Sequence, residues 1–211
     1  MRSLGVELIE FGEDFQEARE HAEMLASKRG FPMVPSFHPL LVAGVGTYSL
    51  ELFRAVGGIE SAYVPIGLGS GICGMIAARD ALGLKTSIVG VVSAHAPAYA
   101  LSFEAQSPID YPSATKLADG VAVRSPDPEA LEIIRRGVDR IVQVTDEEVA
   151  ASMRMIFECT HNVAEGAGAL GVAAAIREGP RKSRKTAVVI SGGNVDRAVF
   201  QQSCPGNDQT L

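Results

Sequence analysis

Three apolar runs of strand length, AYVPI (62–66), TSIVGVV (86–92) and TAVVIS (186–191), are separated by segments whose apolar residues recur with helical period. Strands buried on both faces lose the in-and-out alternation of a half-solvated sheet, and they need helices on both sides to cover them. The expectation is an α/β fold, a parallel twisted sheet flanked by helices. Helical spacing predicts a helix over 13–30, with Ala18, Ala22, Leu25 and Ala26 on one face and Gly30 as its stop. Further helices are expected over about 46–56, 71–82, 127–136, 146–160 and 165–178, and two more strands at GVELIEF (5–11) and RIVQVT (140–145). The stretch FPMVPSFHP (31–39) is a proline-punctuated crossing where a domain boundary fits.

Length and charge narrow the classes of function. With 211 residues, 46% hydrophobic and 21% charged, the chain has the means for one or two domains with a real core. A net charge of −6 argues against a nucleic-acid surface, because neutralising phosphates takes massed Lys and Arg. Only RKSRK (181–185) comes near that, and it reads as a solvated loop before a strand. Cys73, Cys159 and Cys204 are odd in number and share no C-x-x-C spacing, so neither a disulfide framework nor a zinc site is indicated. The amino-terminal MRSLGVELIEFGEDF carries acids where a signal peptide needs an unbroken apolar core, and no apolar run reaches the length of a membrane span. A soluble, cytoplasmic protein is the expectation.

The stretch VPIGLGSGICG (64–74) carries an apolar run into a glycine-rich loop and then into a helix. At the carboxyl end of a strand, Gly67, Leu68, Gly69, Ser70 and Gly71 would present backbone N–H groups beside the positive end of a helix dipole, which makes an anion cradle. The alternative is a tight turn that only needs glycine. Gly69, Gly71 and Gly74 also satisfy the dinucleotide pattern G-x-G-x-x-G, which would suit an oxidoreductase. That pattern asks for an acid at the end of the next strand, where Val91, Val92 and Ser93 stand instead. No Walker lysine follows Gly74, so a small phosphorylated cofactor is the better match. Ser70 lacks the G-x-S-x-G elbow of a hydrolase, and His38 and His161 read as structural residues at a crossing and at a helix break.

Near the carboxyl end, TAVVISGGNVD (186–196) places Ser191 at the end of a strand before a Gly-Gly turn. Alone this is a common turn composition. Together with AGVGTYSLE (43–51), ADGVAVRSP (118–126) and AEGAGALGVAAAI (164–176), in this order and in register with the glycine loop, it resembles the pyridoxal-phosphate enzymes of the threonine/serine dehydratase family. The resemblance covers nearly the whole chain. It implies the tryptophan synthase β-like fold, known as fold type II. It also implies pyridoxal 5′-phosphate as cofactor, with residues 67–71 as phosphate loop, Ser191 at the pyridine nitrogen, Gly120 beside the ring and Glu165 near the pyridine edge. A hydroxyl at that nitrogen suits elimination better than transamination, because it does not hold the ring protonated as a carboxylate does. For Gly166, Ala167, Gly168 and Ala169 the reading is close packing of helix on sheet.

Two departures from the family pattern shape the expected function. The motif that carries the Schiff-base lysine, and the Asn-containing loop that follows it, have no counterpart here; Lys28, Lys85, Lys116, Lys182 and Lys185 all fall elsewhere in the pattern. Residues 1–37 would then be the last strand and helix of the family's small domain, and 38–211 the later part of its large domain, in a fold incomplete at the amino end. Where relatives with a divalent-cation site place acids, this chain has Val92, Ala96 and Ala98, with His95 the only ligand type nearby, so no metal site is expected. The implied function is an ammonia-lyase acting on a β-hydroxy amino acid, inactive as this chain alone, with no catalytic residue assigned and cofactor held non-covalently at best. The alternatives are a non-catalytic remnant or half of a split enzyme needing a partner chain, and, less favoured, a dinucleotide-dependent oxidoreductase. A homo-oligomer or a complementing chain would cover the exposed face; no nucleic acid or membrane partner is expected.

Overall fold

The structure, a computed structural model, describes residues 2–179 and 185–204; Lys182 and the rest of 181–184 lie outside the described residues. The chain divides into two compact units, one ending at Ser36 and one beginning at Phe37.

The first unit holds helix α1 (Phe15–Arg29). Asp14 caps it by accepting the Glu17 N–H at 2.9 Å, and Gly30, at φ 68°, closes it in the left-handed conformation that glycine adopts without strain. The strand expected at 5–11 is absent. A strand is held by its ladder, and among the described residues no segment pairs with this one, so Val6, Leu8, Ile9 and Phe11 remain exposed.

The second unit opens with α2 (Pro39–Val45) and α3 (Thr47–Ala55) and then alternates strands and helices. In order these are β1 (Ile59–Pro65), α4 (Ser70–Ala81), β2 (Ser87–Ser93), α5 (Ala98–Ala105), α6 (Pro128–Gly137) and β3 (Arg140–Val144). Then come α7 (Asp146–Thr160), α8 (Gly166–Glu178), β4 (Lys185–Val188) and α9 (Arg197–Ser203). Among the described residues the strands form one parallel sheet in the order β3-β2-β1-β4, with Tyr63 opposite Val89 and Val188. The expected strand 186–191 stops at Val188, after which the Val189 N–H continues the ladder, donating to the Tyr63 carbonyl at 3.0 Å.

Period two explains why the strands read as unbroken apolar runs. Ala62, Val64, Ile88 and Val92 face one core, against Ile72, Met75 and Ile76 of α4 and Leu131 and Ile134 of α6. Tyr63, Val89, Val91 and Val144 face the other, against Met153 and Ile156 of α7 and Leu170 of α8. Each fully buried aliphatic side chain contributes about 1.5–3 kcal/mol. The Tyr63 phenol donates to Glu178, which also binds Arg140 through Nε at 2.8 Å, so a hydrogen-bonded group ties β1, β3 and the end of α8. Among the described residues no helix is long and apolar enough to cross a membrane.

Helix α4 lies close to the α2–α3 junction because both contact points are glycine. A Cβ on Gly74 would stand 2.8 Å from the Gly46 Cα and 2.9 Å from its nitrogen, inside van der Waals contact with backbone that has little room to yield. Gly74→Ala should therefore destabilise the fold by about 1–2 kcal/mol in urea unfolding, although alanine gains about 1 kcal/mol in helix propensity. A variant as stable as the parent, or more so, would show that this approach carries no packing constraint.

Candidate functional site

Strand β1 and helix α4 meet at the glycine loop. The Ile66 N–H donates to the Val91 carbonyl at 2.8 Å, so the sheet ladder runs one residue beyond β1 before the chain turns. Gly69 is the N-cap of α4, at φ 99°, and no side chain caps the helix. Its position demands glycine twice over: the backbone is left-handed, and a Cβ would stand 2.7 Å from that of Ala130. Among the described residues, the N–H groups of Gly67, Leu68, Gly69, Ser70, Gly71 and Ile72 donate to no protein acceptor. The first helical amide with a partner is that of Cys73, which donates to the Gly69 carbonyl at 3.0 Å. Unpaired amides at an uncapped helix start, with the helix dipole behind them, are the donor set that an anion takes.

The other residues singled out by sequence gather around this loop. Gly120, in the short turn Asp119–Val121, is so close that a Cβ on Gly67 would lie 2.6 Å from its carbonyl oxygen. A Cβ on Gly120 would in turn meet that of Ala167 at 2.9 Å and the Glu165 Oε1 at 3.9 Å. The half-buried Glu165 is the N-cap of α8; its N–H donates to the Gly192 carbonyl at 3.1 Å, and its carboxylate packs against Gly192 itself. Ser191, the neighbour of Gly192, lies exposed past the end of β4 rather than within it. With Gly71 and Tyr48 it lines an apolar-walled cavity of about 510 Å³, whose other walls include Leu52, Val64 and Pro65. Glycines 166, 168 and 171 face Leu117, Gly192 and Val188, which makes them packing positions of α8.

No described lysine lines the cavity shared by Gly71 and Ser191. Lys185 donates to the Gly57 carbonyl at 3.0 Å from the first residue of β4, the end of that strand away from Ser191. Lys85 lies just before the start of β2, and Lys28 belongs to α1. Lys116 lines a separate cavity of about 280 Å³ with Asp119, Glu165 and Asn194. Among the described residues no group of three or more His, Cys, Asp or Glu side chains is placed to hold a metal ion. His38 caps α2, accepting the Leu40 N–H at 3.1 Å, and His161 ends α7 in the left-handed region at φ 57°.

A scan against protein-family models matches residues 1–193 to the family described as pyridoxal-phosphate dependent enzymes. The chain belongs to that family. It is 36% identical, over 196 residues, to an L-threonine ammonia-lyase of Thermotoga maritima. That match covers 92% of this chain and 49% of the relative, so the chain spans about half the length of the relative it matches. Among solved structures, the processed form of threonine deaminase isoform 2 from Solanum lycopersicum superposes with a TM-score of 0.87 at 26% identity, covering 96% of this chain and 60% of that one. The maize serine racemase superposes at 0.85, also with 26% identity, over 96% and 63% of the two chains. The dinucleotide reading of Gly69, Gly71 and Gly74 falls away, because the family is a different one and Gly74 is taken up by its contact with Gly46.

The residues present fit the cofactor that defines the family. Unpartnered amides at residues 67–72 suit its phosphate, and the Ser191 hydroxyl, which has no hydrogen bond to any described residue, suits a ring nitrogen. Sequence reasoning missed what holds the loop from beneath: Tyr99 of α5, whose hydroxyl donates to the Leu68 carbonyl at 3.1 Å, and Ala130 and Ile134 of α6.

Cys73, one turn into α4, is fully buried with its Sγ 3.8 Å from the Ala130 carbonyl. Burial, and then the charge of Asp127, push its thiol from the ordinary 9.0 up to about 12. At about pH 8 iodoacetamide should label the exposed Cys159 and leave Cys73 untouched until the chain unfolds. Because the folded-state value is the raised one, this group's contribution to stability is whole below pH 9.0 and is lost as pH rises toward about 12. Cys73→Ala should remove that part of the alkaline loss. Equal labelling of the two thiols in the folded chain would contradict this placement.

Proposed function

We propose that this chain forms the cofactor-binding part of an ammonia-lyase that deaminates a β-hydroxy amino acid, such as threonine or serine, to a 2-oxo acid. In this reading the amides of Gly67, Leu68, Gly69, Ser70 and Gly71 hold the phosphate of pyridoxal 5′-phosphate, and the Ser191 hydroxyl meets the pyridine nitrogen. Gly120 leaves room for the ring, and Glu165 stands near its edge. The observation that carries the reading is the row of unpartnered amides at the start of α4, one of which, Gly71, shares a cavity with Ser191. Bound there, the cofactor supplies an electron sink that makes the substrate's α-proton removable and lets the β-hydroxyl leave.

What this chain's residues do is bind and orient. The loop offers the phosphate backbone donors, and those donors do not titrate. Ser191 either donates to the ring nitrogen or accepts from it, without imposing a full charge. Residues 1–37 would be the end of the family's small domain and 38–211 the later part of its large domain. The base that moves the α-proton then comes from outside this chain, on a further stretch of the polypeptide or on a partner, and the same segment would cover the exposed apolar residues Leu40 and Ile190. A homo-oligomer is a further form that partner can take. A cytoplasmic setting suits the three unpaired cysteines.

With added cofactor, this chain should retain pyridoxal phosphate reversibly, lose it on dialysis and yield no borohydride-trapped adduct. Its release of 2-oxobutanoate from threonine should equal that of free pyridoxal phosphate in buffer, since no described lysine lines the cavity. Turnover well above that background, with an adduct on one of the chain's lysines, would show that the chain carries its own catalytic lysine.

A further inference from the structure

The Leu68 carbonyl precedes the N-cap of α4, where no amide of the helix bonds to it; the donor it receives is the Tyr99 hydroxyl, at 3.1 Å. The same hydroxyl accepts the Asp127 N–H at 3.1 Å. Asp127 is itself fixed as the N-cap of α6, its carboxylate taking the N–H groups of Glu129 and Ala130 at 3.0 and 3.1 Å. Tyr99 is 1% exposed, so one buried hydroxyl joins the glycine loop to the start of a second helix. Burial raises the phenol well above its ordinary value, which keeps it a donor across the working pH range.

The peptide geometry turns this bond into an orientation. In a trans peptide the C=O of one residue and the N–H of the next point in opposite directions. Drawing the Leu68 carbonyl onto Tyr99 therefore aims the Gly69 N–H away from the Tyr99 hydroxyl. Gly69 lies flat on this support: a Cβ there would stand 3.4 Å from the Tyr99 oxygen as well as 2.7 Å from the Ala130 Cβ. We propose that Tyr99 is a positioning residue of the phosphate loop, whose hydroxyl sets the Leu68–Gly69 peptide so that the Gly69 amide is presented to an anion. The proposal rests on the phosphate reading of the loop.

The test compares the parent chain with Tyr99→Phe, which removes one oxygen and keeps the ring. Dissociation constants are measured for pyridoxal phosphate, for pyridoxal and for inorganic phosphate. The parent should prefer pyridoxal phosphate to pyridoxal. The variant should lose about tenfold on pyridoxal phosphate and on inorganic phosphate, and less than about twofold on pyridoxal, as expected for one misdirected donor to a charged group. Equal losses on pyridoxal phosphate and pyridoxal, or no loss at all, would overturn the role of Tyr99 while leaving the loop reading standing. A parent chain without any preference for the phosphorylated form would overturn the loop reading, and the proposal with it. Should Tyr99→Phe fail to fold, 3-fluorotyrosine at position 99 keeps the hydroxyl and makes it a stronger donor. A preference for pyridoxal phosphate changed by about twofold or more supports the proposal, and an unchanged preference overturns it.

Discussion

A helix that starts without a side-chain cap leaves its first amides unpaired, and at α4 that deficit organises the surrounding chain. The loop stays open because glycine at 67 and 69 lets it lie against the Gly120 carbonyl and against Ala130. The helix behind it is held by burial of Ile72, Cys73 and Met75 on the sheet, and its crossing with α2 and α3 is set by the Gly46–Gly74 approach. A fixed helix with free amides is a preorganised donor array, and anion binding there costs little further ordering.

The parallel sheet brings the remaining parts to the same place. Strands β1, β2 and β4 all run toward the glycine loop, so the segment after each strand is delivered to one end of the sheet. This is how Gly67, Gly120 and Ser191, spread over more than half of the chain, come to one region, and Glu165 joins them at the start of α8, where its N–H donates to the Gly192 carbonyl. The opposite end of the sheet, where Lys85 and Lys185 sit, carries none of them. Strand β4 is an edge strand of the described sheet, and Ser191 just beyond it is exposed.

Much of this was legible because it rests on local pattern. TSIVGVV is a strand at Ser87–Ser93, since a doubly buried strand must be continuously apolar; RIVQVT is the half-buried strand Arg140–Val144 at the other edge of the described sheet, and the helix expected over 71–82 runs Ser70–Ala81. The failures are of three kinds. GVELIEF has the composition of a strand, but a ladder needs a partner that local sequence does not report. Helices α2, α5 and α9 are only seven or eight residues long, and α5 buries residues on several sides, so none has a periodic stripe to detect. Tyr99 escaped notice for a reason of distance: its partner carbonyl lies 31 residues away, and no spacing rule marks a hydroxyl that supports a remote loop. Gly120 and Glu165 were found only through the resemblance, because glycine and glutamate carry no signature of their own at those positions.

The central claim is that the amides at the start of α4 form an anion site, and amide NMR tests it directly. In a titration of the nitrogen-15-labelled chain with inorganic phosphate and then pyridoxal phosphate, the resonances of Gly67, Gly69, Ser70, Gly71 and Ile72 should move together and saturate, while those at the far end of α4, Ala78 to Ala81, stay in place. Loop resonances that remain fixed at saturating pyridoxal phosphate, with shifts gathered instead around a surface arginine such as Arg136, would contradict the account.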